Sequence, residues 1–276
     1  MERFKRQIRY DIHTGTLLCW KLYAGYFAIW ILLALVIWRS HRFMMENRDN
    51  MFSWLDCIIG FLRGTEDFSK ADRTETFRMP FEWFVLNLGY ILWIISYPYF
   101  DYKERGYQFF IRAGNKKNWW FSKCVWTVFQ TLLYFLMFYI VIYAVTICMG
   151  GEWIWNEHDI WGMNLENIPK IHLFLLLFIM PVITAITFSL LGLTISFLWN
   201  PIGAVIFLLL LLVASAYWEN DWLLGCYSML CRYDFEELAA NHKIIKGILL
   251  NTTISAVSIL MGYYTLKYRE VMRKGW

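Results

Sequence analysis

The sequence predicts an all-α integral membrane protein: six transmembrane helices, an N-terminal interfacial helix, a helix in a cytoplasmic loop and short outer helices. Three observations predict it. Hydrophobic residues make up 59% of the chain and charged residues 17%, far from the roughly 25% charged of a globular protein. Six apolar runs are long enough to cross about 30 Å of hydrocarbon at about 1.5 Å per residue. Aromatic residues reach 20% and gather beside those runs, as amphipathic rings do at headgroup level. A net charge of only +4, with no dense Lys/Arg tract, sets nucleic-acid binding aside.

Residues 1–12 place Phe4, Ile8 and Ile12 four apart with Arg3, Lys5, Arg6 and Arg9 between them, a pattern that suits a helix lying in the inner-leaflet interface. The first span is 22–38; the bulky Trp38-Arg39 follows it rather than small cleavage-site residues, so this helix is expected to stay attached. Residues 51–62 carry Met51, Leu55, Ile58 and Leu62 at helical spacing on the outer side. The second span, 81–97, is diluted by Glu82 and Asn87. The third is 124–148. The fourth, 171–198, exceeds the minimum length and contains Pro181, which predicts tilt or a kink. The fifth is 201–217 and the sixth 247–266. Between them, loop 218–246 offers Asn220 as a helix cap and an apolar run over 222–231, predicting short helices that dip toward the membrane. For these three amphipathic pieces, packing on the bundle's own rim is an equal alternative. No internal repeat or linker divides the chain, so residues 1–276 read as one membrane domain.

Orientation follows from the basic residues. With the N-terminus inside, the inner segments 1–21, 98–123, 199–200 and 267–276 hold 15 Lys/Arg against 5 acids. The outer loops 39–80, 149–170 and 218–246 hold 11 against 16. Both termini are therefore expected on the cytoplasmic side of a plasma-membrane protein.

The chemistry that is missing narrows the mechanism. Glu82 and His172 sit at the outer ends of their spans, and the predicted interiors hold no ionisable group. Ion-coupled transporters and intramembrane metalloenzymes need such groups at membrane depth. A Gly-x4-Gly-Lys-Ser/Thr phosphate loop is absent as well, so no cofactor is expected and any energy must come from another polypeptide. Glu157-His158-Asp159 reads as a solvated turn more readily than as a metal site. Cys226 and Cys231 share an outer loop, with Cys57 and Cys148 also near that face, and leave a disulfide open. The sequon at Asn251 falls inside a span, out of reach of glycosylation.

Small residues form faces in two spans. Ala185, Ser189, Gly192 and Ser196 line one side of the fourth, and Ser255, Ser258 and Gly262 one side of the sixth. Such faces let backbones approach closely in lipid. Close packing within the bundle is the favoured reading, and a polar path along Thr184, Thr187 and Thr194 the lesser one.

The loop after the second span runs Tyr97-Pro98-Tyr99-Phe100-Asp101-Tyr102-Lys103-Glu104-Arg105-Gly106-Tyr107-Gln108-Phe109-Phe110-Ile111-Arg112-Ala113-Gly114 and ends Trp119-Trp120-Phe121-Ser122-Lys123. It reads as a Pro stop, a short amphipathic helix over 102–113 closed by Gly114, and a basic aromatic return to the membrane. This pattern resembles the membrane subunits of ATP-binding-cassette exporters, the ABC-2-type permeases. Glu104-Arg105-Gly106, Phe109-Phe110-Ile111, Gly114 and Lys123 match, in order, that family's acidic-basic-Gly element, hydrophobic helix, stop and Lys at the third span. The Tyr97-Pro98…Asp101 start and the Trp119–Lys123 end look like a subgroup found mostly in Gram-positive bacteria, often encoded with bacteriocin or antimicrobial-peptide transport genes. Tyr107, where the family has Thr or a small residue, and the long loop 39–80 depart from the pattern.

The resemblance implies a cytoplasmic coupling helix formed by Tyr102, Glu104, Arg105, Gly106, Phe109, Phe110 and Gly114 that docks on a soluble ABC ATPase. It also implies a second permease subunit, identical or different, within the lipid bilayer, and export of an amphipathic peptide, lipid or hydrophobic drug. The chain itself is expected to be a permease without ATPase activity. A membrane sensor or scaffold that docks a partner through the same loop and transports nothing is the rival expectation.

Overall fold

The apolar runs form helices that continue past them at several ends. The computed structural model describes residues 2–17, 20–44, 52–68, 76–106, 116–153, 169–233 and 242–273. Helix α1 is Glu2–Gly15, α2 Trp20–Met44, α3 Trp54–Leu62 and α4 Phe81–Asp101, the last prolonged by one wide turn, Tyr102–Gly106. Helix α5 is Lys116–Cys148, α6 Lys170–Leu198, α7 Pro201–Tyr217 and α8 His242–Arg273. No strand occurs among the described residues. Helices α2, α4, α5, α6 and α8 are each long and apolar enough to cross a membrane, whereas α7 has 17 residues. Their outer surfaces carry exposed Ile29, Leu32, Leu132, Leu136, Leu249 and Leu260, side chains that lipid solvates and water does not. The chain is a multi-pass helical membrane protein.

Helix α6 is the hub. It packs most extensively on α8 and also on α4, α5 and α7. The expected disturbance at Pro181 takes the form of a wide turn over Leu175–Ile179 immediately before it. Pro181 has no N–H to give the carbonyl of Leu177 one turn back; the Tyr139 hydroxyl donates to that oxygen at 2.8 Å. Asn87, which made the second span look weak, is buried and engaged on both sides: it donates to Trp83 O at 2.8 Å and accepts from the Tyr90 hydroxyl at 3.0 Å. Helix α5 ends in a Schellman motif, with Gly150 at φ 80° and the amides of Gly150 and Gly151 donating to Ile147 O and Thr146 O.

The amphipathic outer pieces pack on the bundle. Ser53 and Asp56 cap α3 reciprocally, Ser53 N donating to Asp56 Oδ2 at 2.7 Å. Cys57, Ile58, Ile59, Phe61 and Leu62 are then buried against α2, α4 and α5. Loop 218–233 folds as two tight turns, Leu224–Ser228 and Leu230–Arg232, buried against α6, α7 and α8. Asn220 caps only a turn there, its Oδ1 accepting from Trp222 N at 2.9 Å. Arg232 closes the end of α7 by donating to Ala216 O at 2.9 Å. All five described cysteines, Cys226 and Cys231 included, are free, and burial pushes both of those thiols upward.

A Cβ at Gly192 would come within 2.6 Å of Ile95 and 2.7 Å of Leu208, whereas Gly25 on the lipid side of α2 has nothing within 4 Å. Gly192→Leu should therefore lower stability in detergent by about 1–3 kcal/mol, the usual cost of overpacking, while Gly25→Ala leaves the thermal unfolding temperature unchanged or raised. Equal melting of the two variants would place Gly192 outside the packed interior.

Candidate functional site

Three charged residues that the sequence scatters over an interfacial helix, a loop and a loop end meet in one buried cluster. Lys123 Nζ lies 2.7 Å from Asp11 Oδ1 and 2.6 Å from Asp101 Oδ2. The Lys123 and Asp11 side chains are fully buried and that of Asp101 nearly so. The positions follow from local structure. Lys123 lies within α5, which begins at Lys116. Asp101 arrives because α4 runs straight through Pro98, bringing Tyr97 and Asp101 to one face a turn apart. Asp11 and Gln7 form the matching pair on α1.

Both oxygens of Asp11 have donors. The Ser122 hydroxyl donates to Asp11 Oδ2 at 2.6 Å, and the Tyr97 hydroxyl and Gln7 amide donate to Oδ1 at 3.3 and 3.5 Å. The Lys123 ammonium also stands 4.6 Å from the Tyr97 ring centre and 5.3 Å from that of Trp119. Gly15 lets α1 come this close: a Cβ there would fall 2.7 Å from Tyr97 and 2.9 Å from Trp126. One turn further in, the Thr16 hydroxyl donates to Gln130 Oε1 at 2.8 Å and accepts from Trp126 Nε1 at 3.2 Å. The Gln130 amide donates to the Tyr23 hydroxyl at 2.6 Å. An ion cluster and an amide–hydroxyl chain thus fasten α1 to α4, α5 and the start of α2.

This arrangement corrects three expectations. The spanning helices do bury charge, since α4 and α5 outrun their apolar runs and carry Asp101 and Lys123 inside. Pro98 does not stop its helix. Lys123 lies within helix α5, which begins at Lys116, and not in the segment before it. Helix α1 also docks differently from its apolar stripe: Gln7 and Asp11 are buried, while Phe4, Ile8 and Ile12 are only half-buried.

Of the residues expected to couple to an ATPase, Tyr102 is half-buried, with its ring 5.7 Å from Trp119 and 5.5 Å from Phe197. Glu104 is exposed on the wide turn that also includes the backbone of Arg105 and Gly106. Phe109, Phe110, Ile111 and Gly114 lie outside the described residues, as do Glu157, His158 and Asp159. Among the described residues no group of three His, Cys, Asp or Glu side chains is placed to hold a metal.

The small faces knit α6 into its neighbours. Ala185, Ser189 and Ser196 are buried. The Thr131 hydroxyl donates to Ser189 Oγ at 3.0 Å. The Thr187 hydroxyl donates to Asn251 O at 3.2 Å and shares a hydrogen bond with Ser255 at 3.0 Å. Thr194 reaches Ser258 O at 2.8 Å, and Gly262 faces the Trp120 ring too closely for a side chain. Thr187 and Thr194 are thus engaged in contacts between helices. Polar residues inside apolar runs, above all Gln130, were the sequence signal for such buried networks, but nothing in the sequence paired Asp11 with Lys123.

Compared with protein-family models, curated proteins and solved structures, the chain matches none.

The cluster formally sets two carboxyl groups against one amine, so the three members are not equivalent. Lys123→Met leaves two buried carboxylates facing each other and should destabilise by about 3–5 kcal/mol, as expected when a buried pair loses one partner. Asp11→Asn leaves Lys123 paired with Asp101 and keeps one acceptor oxygen, and its new NH2 can donate to the Ser122 or Tyr97 hydroxyl oxygen, so its cost should be nearer about 1–2 kcal/mol. Chemical denaturation in micelles measures both, and the opposite ranking would mean that the ammonium is not what the cluster is built around.

Proposed function

We propose that the chain is the permease subunit of an ATP-driven exporter of the ABC-2 type, acting with a separate soluble ATPase and a second permease subunit. One observation carries the reading. The two roots of segment 107–115, Asp101 at the end of α4 and Lys123 in the early turns of α5, are clamped to each other and to Asp11 of α1. A loop that receives a partner's push needs stiff roots if the push is to tilt helices rather than bend the loop. Tyr102, its ring tilted against Trp119 and edge-on to Phe197, extends that stiffness to α6. In this reading α7 also crosses the membrane, as the fifth of six spans. Its 17 residues reach about 25 Å, a mismatch that modest bilayer thinning accommodates, and Ile202, Ile206 and Leu210 on its open face suit lipid.

Both termini and loop 98–123 would face the cytoplasm of a cell membrane, in keeping with the excess of basic residues there. Glu104 and Arg105 would meet the rim of the ATPase groove and Phe109 and Phe110 would fill it. The cargo class that fits apolar, aromatic-rich helices is an amphipathic peptide, a lipid or a hydrophobic drug.

Two measurements test the reading. A cysteine replacing Lys116 in a background lacking other reactive cysteines should resist impermeant thiol reagents applied to intact cells and react in inverted vesicles; labelling from outside reverses the topology. Phe109→Ala with Phe110→Ala should insert normally yet lose co-purification with the ATPase, since buried aromatic anchors cost about 2 kcal/mol or more each on truncation. A double mutant that keeps its ATPase and transports at the normal rate rejects this loop as the coupling site. ATPase capture without transport by the wild-type chain would support the scaffold instead.

A further inference from the structure

The side of α1 turned away from the ion cluster has no role in anchoring the helix. Lys5, Arg6, Arg9 and His13 are exposed there, and among the described residues none of them has an ion-pair or hydrogen-bond partner. At about 3.6 residues per turn, Lys5, Arg9 and His13 form one row with Arg6 beside it, and Gln7, Asp11 and Gly15 form the buried row opposite. Phe4, Ile8 and Ile12 run half-buried along the flank between the rows. Asp11, which would otherwise offset these cations, is turned inward and occupied by Lys123.

Two constraints set the height of this cationic row. Asp11 holds α1 to an early turn of α5, and the chain passes within a few residues from Gly15 to Trp20, where the first membrane-crossing helix begins. Leu17 and Trp20 are 62% and 64% exposed, apolar anchors beside the cations with Lys21 exposed next to them. Helix α1 is therefore confined to the level at which α2 enters hydrocarbon. The surrounding groups at that level are lipid phosphates. A zwitterionic surface returns little Coulomb energy to a row of cations, whereas each Lys or Arg near an anionic surface strengthens binding roughly fivefold.

We propose that α1 is an anionic-phospholipid-binding helix that takes phosphatidylglycerol-type headgroups on Lys5, Arg6 and Arg9, with Phe4, Ile8, Leu17 and Trp20 at the acyl boundary. Charge selects the lipid. The buried face, by contrast, is blind to the bilayer, so lipid binding and anchoring to α5 act on opposite sides of one helix.

The test uses the full chain reconstituted in phosphatidylcholine bilayers containing trace spin-labelled phosphatidylglycerol or phosphatidylcholine. The wild-type chain should hold phosphatidylglycerol several-fold more strongly at low salt, with the preference falling as salt is raised. K5Q/R6Q/R9Q should abolish it without lowering the unfolding temperature in phosphatidylcholine, because the three side chains are exposed and among the described residues hold no ion pair or hydrogen bond in the bundle. K5R/R6K/R9K should retain it. Equal association of the two lipids with the wild-type chain overturns the proposal, as does a preference that survives in the neutralised variant. Millimolar inorganic phosphate should leave the preference in place; its abolition by phosphate at constant ionic strength would reassign the row to a free anion. No ATPase enters the measurement, so its failure leaves the exporter reading untouched.

Discussion

An ammonium group cannot stay charged away from water without a carboxylate beside it, and Lys123 is fully enclosed. That constraint organises one end of the molecule. It requires α4 to extend past Pro98 until Asp101 arrives, and it requires α1 to lay Asp11 against α5. Once α1 is there, its polar side is inside, so Gln7 and Asp11 are buried and its cations are left outside. The Gly15 contact with Tyr97 and Trp126, and the chain from Thr16 through Gln130 to Tyr23, follow from the same approach. Breaking a buried pair costs far more than an exposed one contributes, which makes this junction costly to open.

Around α6 the bundle solves a related problem with neutral groups. Helix α6 sits among α4, α5, α7 and α8, where its hydroxyls meet no bulk water. The Thr187 and Thr194 hydroxyls each share their single proton between a carbonyl of their own helix, Ile183 O or Leu190 O, and one of α8, Asn251 O or Ser258 O. Where hydroxyls face lipid, as at Thr252 and Thr253 of α8, they bond back to Ile248 O and Leu249 O. The same residue type thus serves as a helix contact or as a self-satisfied surface group, according to which side of the helix it occupies. Around Tyr134 a ring cluster with Tyr26, Trp30, Tyr90 and Phe135 fills the space between α2, α4 and α5, and edge-to-face geometry adds about 0.5–1.5 kcal/mol per pair beyond packing.

These two devices divide the molecule's mechanics. The α6–α8 seam is joined by Thr187 and Thr194 to Asn251, Ser255 and Ser258, while Gly192 lets α6 meet α4 and α7 closely and Gly262 lets α8 meet Trp120 of α5. The charged junction ties the ends of α4 and α5 to each other, and Tyr102 and Trp119 pack with Phe197 of α6. A force applied to the loop would reach several helices together. The same rigidity suits a docking scaffold as well as a permease.

Much of this was legible in the sequence. Composition and apolar run length determined the membrane-spanning helices, since a stretch without charges has no stable place but lipid or a core. The stripe 185, 189, 192 and 196 came from periodicity alone. Boundaries were misjudged where a helix continues beyond its apolar run, because hydropathy registers lipid contact and not backbone hydrogen bonding: Lys116–Lys123 and Tyr97–Asp101 are helical yet polar. The outer turns and α3 were ambiguous for a similar reason, as an amphipathic face is equally satisfied by headgroups or by a groove in the bundle. What only the tertiary structure decided is the partner of each buried polar group. Asp11, Asp101 and Lys123 are far apart along the chain and individually ordinary. A charge is stabilised by what lies within a few ångströms of it, and that distance is set by how the helices pack.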